Sequence, residues 1–224
     1  MIGLHSKFSS LGIEGIVELV DYYERYDREI NQLRKKENFY CSPGCGACCF
    51  TPAENIEVSV FEMVPLAINL ALEGKGDQFL ERLENPSIDK EPCILYQKTS
   101  DDGRKGFCTQ HPLRPLICRV FAGGARLRKD GKREFLLCSI LKNEYKLNQD
   151  LLDQISTEFP LVQEIVGYAR NLNPDLSEKL FPINVALKKA LEYVLFRLQW
   201  FNPDAPEPDE PPILTPQGGM DHAA

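Results

Sequence analysis

The ten residues Tyr40-Cys41-Ser42-Pro43-Gly44-Cys45-Gly46-Ala47-Cys48-Cys49 constrain this chain more than any other stretch. Four of its eight cysteines stand there as C-x3-C-x2-C-C, and small residues between them let the backbone curl so that several sulfurs converge. The other four, Cys93, Cys108, Cys118 and Cys138, follow singly. The pattern reads as a metal or iron–sulfur site built from one dense loop and from ligands that the fold brings back to it. A cysteine taken alone is equally well a small buried hydrophobe. The loop taken together is not.

The compartment decides how the thiols are read. The segment Met1-Ile2-Gly3-Leu4-His5-Ser6-Lys7 lacks the basic start and apolar run of a secretory signal. The longest apolar stretch, residues 183–198, is interrupted by Lys188, Lys189 and Glu192 and falls short of a membrane span. A cytoplasmic protein that does not enter the membrane is expected. In that reducing setting clustered cysteines bind metal or do redox chemistry more often than they form disulfides. The net charge of −7 says little about partners of the folded part. Asp204, Glu207, Asp209, Glu210 and Asp221 all lie beyond residue 201, where no Lys or Arg stands.

Apolar spacing places helices before and after the cysteine-rich part. Ile13, Ile16, Val17, Val20, Tyr23 and Ile30 predict an amphipathic helix within residues 11–37. Ser59 and Glu62 have capping-box spacing ahead of a helix over residues 60–73, in which Pro65 predicts a kink or a late start. A short helix is expected over 77–84. Residues 91–138 read as short strands, turns and loops, with a hairpin turning at Asp130-Gly131. Helical spacing returns from Asn148 to Ile165, broken near Pro160, and again over 182–200. The predicted class is α+β, mostly helical, with an irregular cysteine-rich centre and a small β-hairpin between amphipathic helices. Residues 1–201 are expected to form a single domain, with 40–138 as its metal-binding core and 139–201 as a helical extension. Residues 202–224, acidic and carrying six prolines, read as a disordered tail.

All eight cysteines, Cys41, Cys45, Cys48, Cys49, Cys93, Cys108, Cys118 and Cys138, are candidate ligands. Thiolate suits both zinc and iron–sulfur clusters, and each such centre takes four ligands. The isolated downstream cysteines fit a cluster, 4Fe-4S by ligand count, somewhat better than the paired knuckles of a zinc site. Eight thiols serve one site with spares or two sites equally well. Cys48 and Cys49 are adjacent, so on extended backbone their side chains would point apart and serve different roles. Arg114 and Arg119 flank Cys118 and are placed to compensate a thiolate centre or donate to its sulfurs. The triplet Cys41-x3-Cys45-x2-Cys48 also has the spacing of radical S-adenosylmethionine enzymes, but no strand–helix alternation surrounds it. His111, at C-x2-H spacing from Cys108, reads as a capping or surface imidazole before it reads as a ligand. The basic run of residues 104–133 lacks the interleaved aromatics of a nucleic-acid platform, which argues against that partner. No catalytic motif is present, so catalytic residues and any protein partner stay open.

With the downstream residues included, a resemblance emerges. The pattern Cys41-x3-Cys45-x2-Cys48-Cys49, then Val58-Ser59-x2-Glu62, Cys93, Cys108 and Arg114-Pro115-x2-Cys118-Arg119-x-Phe121 resembles the YkgJ-type cysteine-cluster family over roughly residues 40–138. That family is described as carrying a zinc- or iron-chelating domain, so the resemblance implies metal chelation by these cysteines. The flagellin lysine methylases look like distant relatives, and by that analogy alone a role in protein modification is conceivable. Residues 98–106 look inserted relative to the compact family pattern.

Overall fold

The computed structural model describes residues 8–9, 11–38, 40–41, 44–146 and 149–200. The tail expected to be disordered, 202–224, lies outside them. The first long helix, α1 (Ile16–Lys36), buries Ile16, Leu19, Val20, Tyr23, Tyr26 and Ile30 along one stripe. It begins later than its apolar spacing predicts. Gly15 stands in the left-handed region (φ 75°), and a Cβ there would lie 2.6 Å from the Leu172 carbonyl oxygen. Glycine thus sets both the turn and a close approach at one position.

Strand β1 (Glu57–Ser59) leads directly into α2 (Val60–Leu72). The capping box forms as expected: the Glu62 amide donates to Ser59 Oγ at 3.3 Å, and the Ser59 amide donates to Glu62 Oε2 at 3.1 Å. Pro65 neither delays nor ends the helix, which runs through it unbroken. The reason is tertiary: Phe61, Met63, Val64, Leu66, Ala67, Ile68 and Leu70 all have no exposed surface, and burial on that scale outweighs one lost backbone bond. Gly74 (φ 69°) closes α2 with its amide on the Ala71 carbonyl, while the Lys75 amide reaches the Leu70 carbonyl. That is the paired bonding of a Schellman end. Ser59→Ala is expected to lower stability by about 1 kcal/mol, measured by urea denaturation, since the hydroxyl both accepts the Glu62 amide and donates to Glu62 Oε2 at 2.9 Å.

A short α3 (Gly76–Leu83) follows, then the hairpin β2 (Tyr96–Lys98)–β3 (Gly106–Cys108), α4 (Leu116–Val120) and the hairpin β4 (Ala125–Leu127)–β5 (Arg133–Phe135). The β4–β5 hairpin turns at Asp130-Gly131 as predicted, pairing Ala125 with Phe135 and Leu127 with Arg133. Helices α5 (Ser139–Glu144), α6 (Gln149–Glu158), α7 (Val162–Leu172) and α8 (Pro174–Ser177) lead to β6 (Leu180–Pro182) and α9 (Ile183–Trp200). The break near Pro160 falls between α6 and α7. Pro174 starts α8, with Asn173 as its cap, Oδ1 accepting the Leu176 amide at 3.1 Å.

Strand β6 pairs antiparallel with β1, so Val58 faces Phe181 across more than a hundred residues of chain. This pairing lays α9 along α2, where Ile183, Ala186, Leu187, Ala190, Leu191 and Val194 bury against it. On another side of α2, the Tyr23 hydroxyl of α1 donates to the Glu62 carbonyl at 3.1 Å. The fold is α+β and mostly helical, with small antiparallel strand pairs. Among the described residues no helix is long and apolar enough to cross a membrane.

Candidate metal centre

The Cys41–Cys49 loop is docked on the edge of the β2–β3 hairpin. The Gly46 amide donates to the Arg104 carbonyl (2.8 Å), the Gly106 amide donates to the Gly44 carbonyl (2.9 Å), and Cys45 bridges antiparallel to Lys105. The ring of Tyr96 lies over both glycines. A Cβ on Gly46 or Gly106 would stand 2.2 or 2.4 Å from its hydroxyl oxygen, and that hydroxyl donates to the Gly103 carbonyl at 2.6 Å. Residues 98–106, which look inserted from sequence, therefore supply the shelf on which the loop rests. At the loop's start, the Tyr145 hydroxyl accepts from the Tyr40 amide at 2.9 Å.

Docked in this way, the loop closes a cavity of about 360 Å³ lined by Cys41, Cys45, Cys48, Cys49, Cys93, Cys108 and Cys118. Seven of the eight cysteines line this one cavity. The eighth, Cys138, lies in an adjoining depression with Ala47, Phe50 and Arg104, at the start of α5, where its sulfur accepts the Leu141 amide at 3.5 Å. All eight are free thiols. As placed, no three Cys, His, Asp or Glu side chains among the described residues stand close enough to hold one metal ion.

The expectation that Cys48 and Cys49 diverge is corrected. The backbone there is a turn, not extended: the Cys49 and Phe50 amides both donate to the Gly46 carbonyl at 2.9 Å. Helical geometry sets neighbouring side chains only about 100° apart. Both sulfurs line the cavity, 4.0 Å from each other.

Burial governs the protonation of the thiols. It pushes Cys93 up to about 12 and raises Cys41, Cys108 and Cys118 as well. Cys48 is raised first by its hydrogen bond with Cys49 and then by burial. Without a metal these five hold their protons at neutral pH. Guanidinium groups oppose the trend. Arg114 pulls Cys48, Cys108 and Cys118 down, and Arg34 does the same for Cys41.

The two arginines singled out from sequence have different surroundings. Arg119, only 1 % exposed, is spent on the scaffold: Nε donates to the Arg114 carbonyl (2.9 Å), one terminal nitrogen to the Pro112 carbonyl (2.6 Å) and the other to Asp27 of α1. Its Cζ lies over the Tyr23 ring, 4.2 Å from the centroid. Arg114 lines the cavity, 3.7 Å from Asp27, and its buried Nε has no hydrogen-bond partner. It is a donor waiting for an acceptor. His111 also lines the cavity, with burial, followed by Arg114, holding its imidazole below the usual range.

Sequence reasoning missed the contribution of α1. Asp27, Asn31 and Arg34 line the cavity from that helix, at i, i+4 and i+7. That polar stripe beside the apolar one was the available signal. The rest of the basic run is dispersed. Arg126 pairs with Glu134 at 2.8 Å, Arg128 with Asp130 at 3.5 Å, and Arg133 donates to the Phe159 carbonyl near the end of α6 at 3.1 Å.

Residues 40–145 match the CxxCxxCC family model, described as "Putative zinc- or iron-chelating domain". The match spans just under half of the chain and includes every cysteine. No curated protein and no solved structure matches the chain, and a similarity to flagellin lysine methylases is not shown.

Proposed function

We propose that residues 40–145 hold a thiolate-ligated metal centre, an iron–sulfur cluster or zinc, in a cytoplasmic protein. The observation that carries this reading is that cysteines from residue 41 to residue 118 line one cavity. The donor set fits: soft sulfur ligands are what zinc and iron–sulfur clusters take. A four-thiolate centre of either kind is anionic. Three guanidinium groups, Arg34, Arg114 and Arg119, line the same cavity against the single carboxylate of Asp27. The unpartnered Arg114 Nε is the donor best placed to bond a sulfur of the bound centre. Zinc there would brace the domain, whereas an iron–sulfur cluster would also carry an electron.

The chain purified anaerobically from cells grown with iron and zinc should contain one of them, iron with equimolar sulfide in a brown protein or zinc in a colourless one. A folded, metal-free preparation would overturn the reading. The raised thiols add a pH dependence with a defined sign. Each protonated ligand must lose its proton to bind, so metal uptake releases protons and affinity falls as pH falls. Bound metal should therefore be lost on acidification, read by a colorimetric chelator across a pH series.

A further inference from the structure

We propose that Asn184, at the start of α9 and outside the matched segment 40–145, is a positioning residue for the metal centre that holds Cys93 at the cavity wall. This rests on the chelation reading above and adds that the helical part beyond residue 145 is built into the site.

The three downstream cysteines of the cavity are supported differently. Cys108 ends β3 and Cys118 lies in α4, whereas Cys93 stands in the irregular stretch between α3 and β2. Cys93 is nevertheless the buried one of the three. A sulfur on such a stretch keeps a single place only if neighbouring groups hold the backbone that carries it.

Asn184 supplies that hold. Its side chain is 1 % exposed, Oδ1 accepts the Ile94 amide at 3.0 Å, and Nδ2 donates to the Ile88 carbonyl at 2.9 Å. One carboxamide therefore ties residues 88–94 at both ends, and Cys93 is the immediate neighbour of one tied residue. Each partner is a backbone group of fixed polarity, so the amide has one orientation that satisfies both. The middle of the same stretch is bonded elsewhere, with the Ala53 amide on the Glu91 carbonyl (2.8 Å) and the Glu54 amide on the Asp89 carbonyl (3.0 Å). The β1–β6 pairing sets where α9 begins, and Ile183, the residue before Asn184, lines the cavity itself. A buried carboxamide is stabilising only when its hydrogen bonds are made, and here both go to the backbone around one candidate ligand.

The test uses zinc ion alone as the probe. The full chain, reduced and reconstituted with zinc, is titrated against a chromogenic chelator. Asn184→Leu should weaken zinc binding by about 10- to 100-fold, the usual cost of losing a group that orients a ligand. Asn184→Asp keeps the acceptor for the Ile94 amide and should lose less. In a Cys93→Ser background, Asn184→Leu should change affinity by less than about twofold, because the asparagine acts through that sulfur. Phe61→Ala, a purely structural change in the core, should bind zinc as the parent does. Circular dichroism checks that each variant keeps its helices; if Asn184→Leu does not fold, Asn184→Asp with and without Cys93→Ser gives the same comparison. Parent-like affinity in the folded Asn184 variants, or an equal loss with and without Cys93, overturns the proposal. A parent chain that carries no metal as purified and takes up no zinc overturns chelation itself, so the two failures are distinguishable.

Discussion

Arg119→Met is expected to lower the unfolding free energy by about 3 kcal/mol, because it deletes three charge-assisted bonds inside the protein at once. The methionine keeps much of the volume and restores none of the donors. The Pro112 and Arg114 carbonyls lose their partners, and Asp27 loses the closer of its two ion pairs, keeping Arg114 at 3.7 Å. Asp27 is one-third exposed and can rehydrate, which keeps the cost below that of a fully buried orphaned charge. Arg119→Lys should recover only part of the loss, since one ammonium cannot reach three separated acceptors while stacked on Tyr23. Urea denaturation of the three proteins measures this. A loss below about 1 kcal/mol would mean that the guanidinium does not pin α4 to α1. The prediction matters for the site because the residue before Arg119 is Cys118, and the same clamp sets where that sulfur stands.

Phe61→Ala should cost more, about 4 kcal/mol. The side chain is completely buried in α2, between the helices that pack on it. Removing the ring loses its burial and leaves a cavity whose walls are fixed by neighbouring helices. For a chain of this size the melting temperature should fall by about 10 °C. Metal content per folded chain should not change, because Phe61 does not line the cysteine cavity. A variant that melts normally, or that folds but loses its metal, would show that scaffold and centre are not divided as described.

The parts of this architecture that depend on local rules were legible in the sequence. The stripe of α1, the Ser59–Glu62 box, the Asp130-Gly131 hairpin and the break at Pro160 each follow from spacing or from one turn-forming residue. The parts set by tertiary contact were not. Pro65 is tolerated because α2 is the buried centre of the molecule, a fact no helix propensity contains. Strand β6 forms because β1 is there to pair with it, and its three residues carry no strand signal of their own. At the site, residue types pointed to the cysteines directly, and the structure brings seven of them to one cavity. The turn at residues 46–50 escaped notice because adjacent cysteines look divergent on an extended chain. Asp27, Asn31 and Arg34 were hidden by distance: they precede the cluster by up to a few turns of helix and reach it only once α1 has docked.

The central claim, that sulfurs far apart in the chain share a metal centre, is tested most directly by X-ray absorption at the metal edge of the protein purified without oxygen. The account predicts an all-sulfur inner shell, about four sulfurs per metal at about 2.3 Å. A shell dominated by oxygen or nitrogen, or a metal content per chain and a sulfur shell both unchanged when Cys93, Cys108 and Cys118 are all replaced by serine in a chain that stays folded, would contradict it.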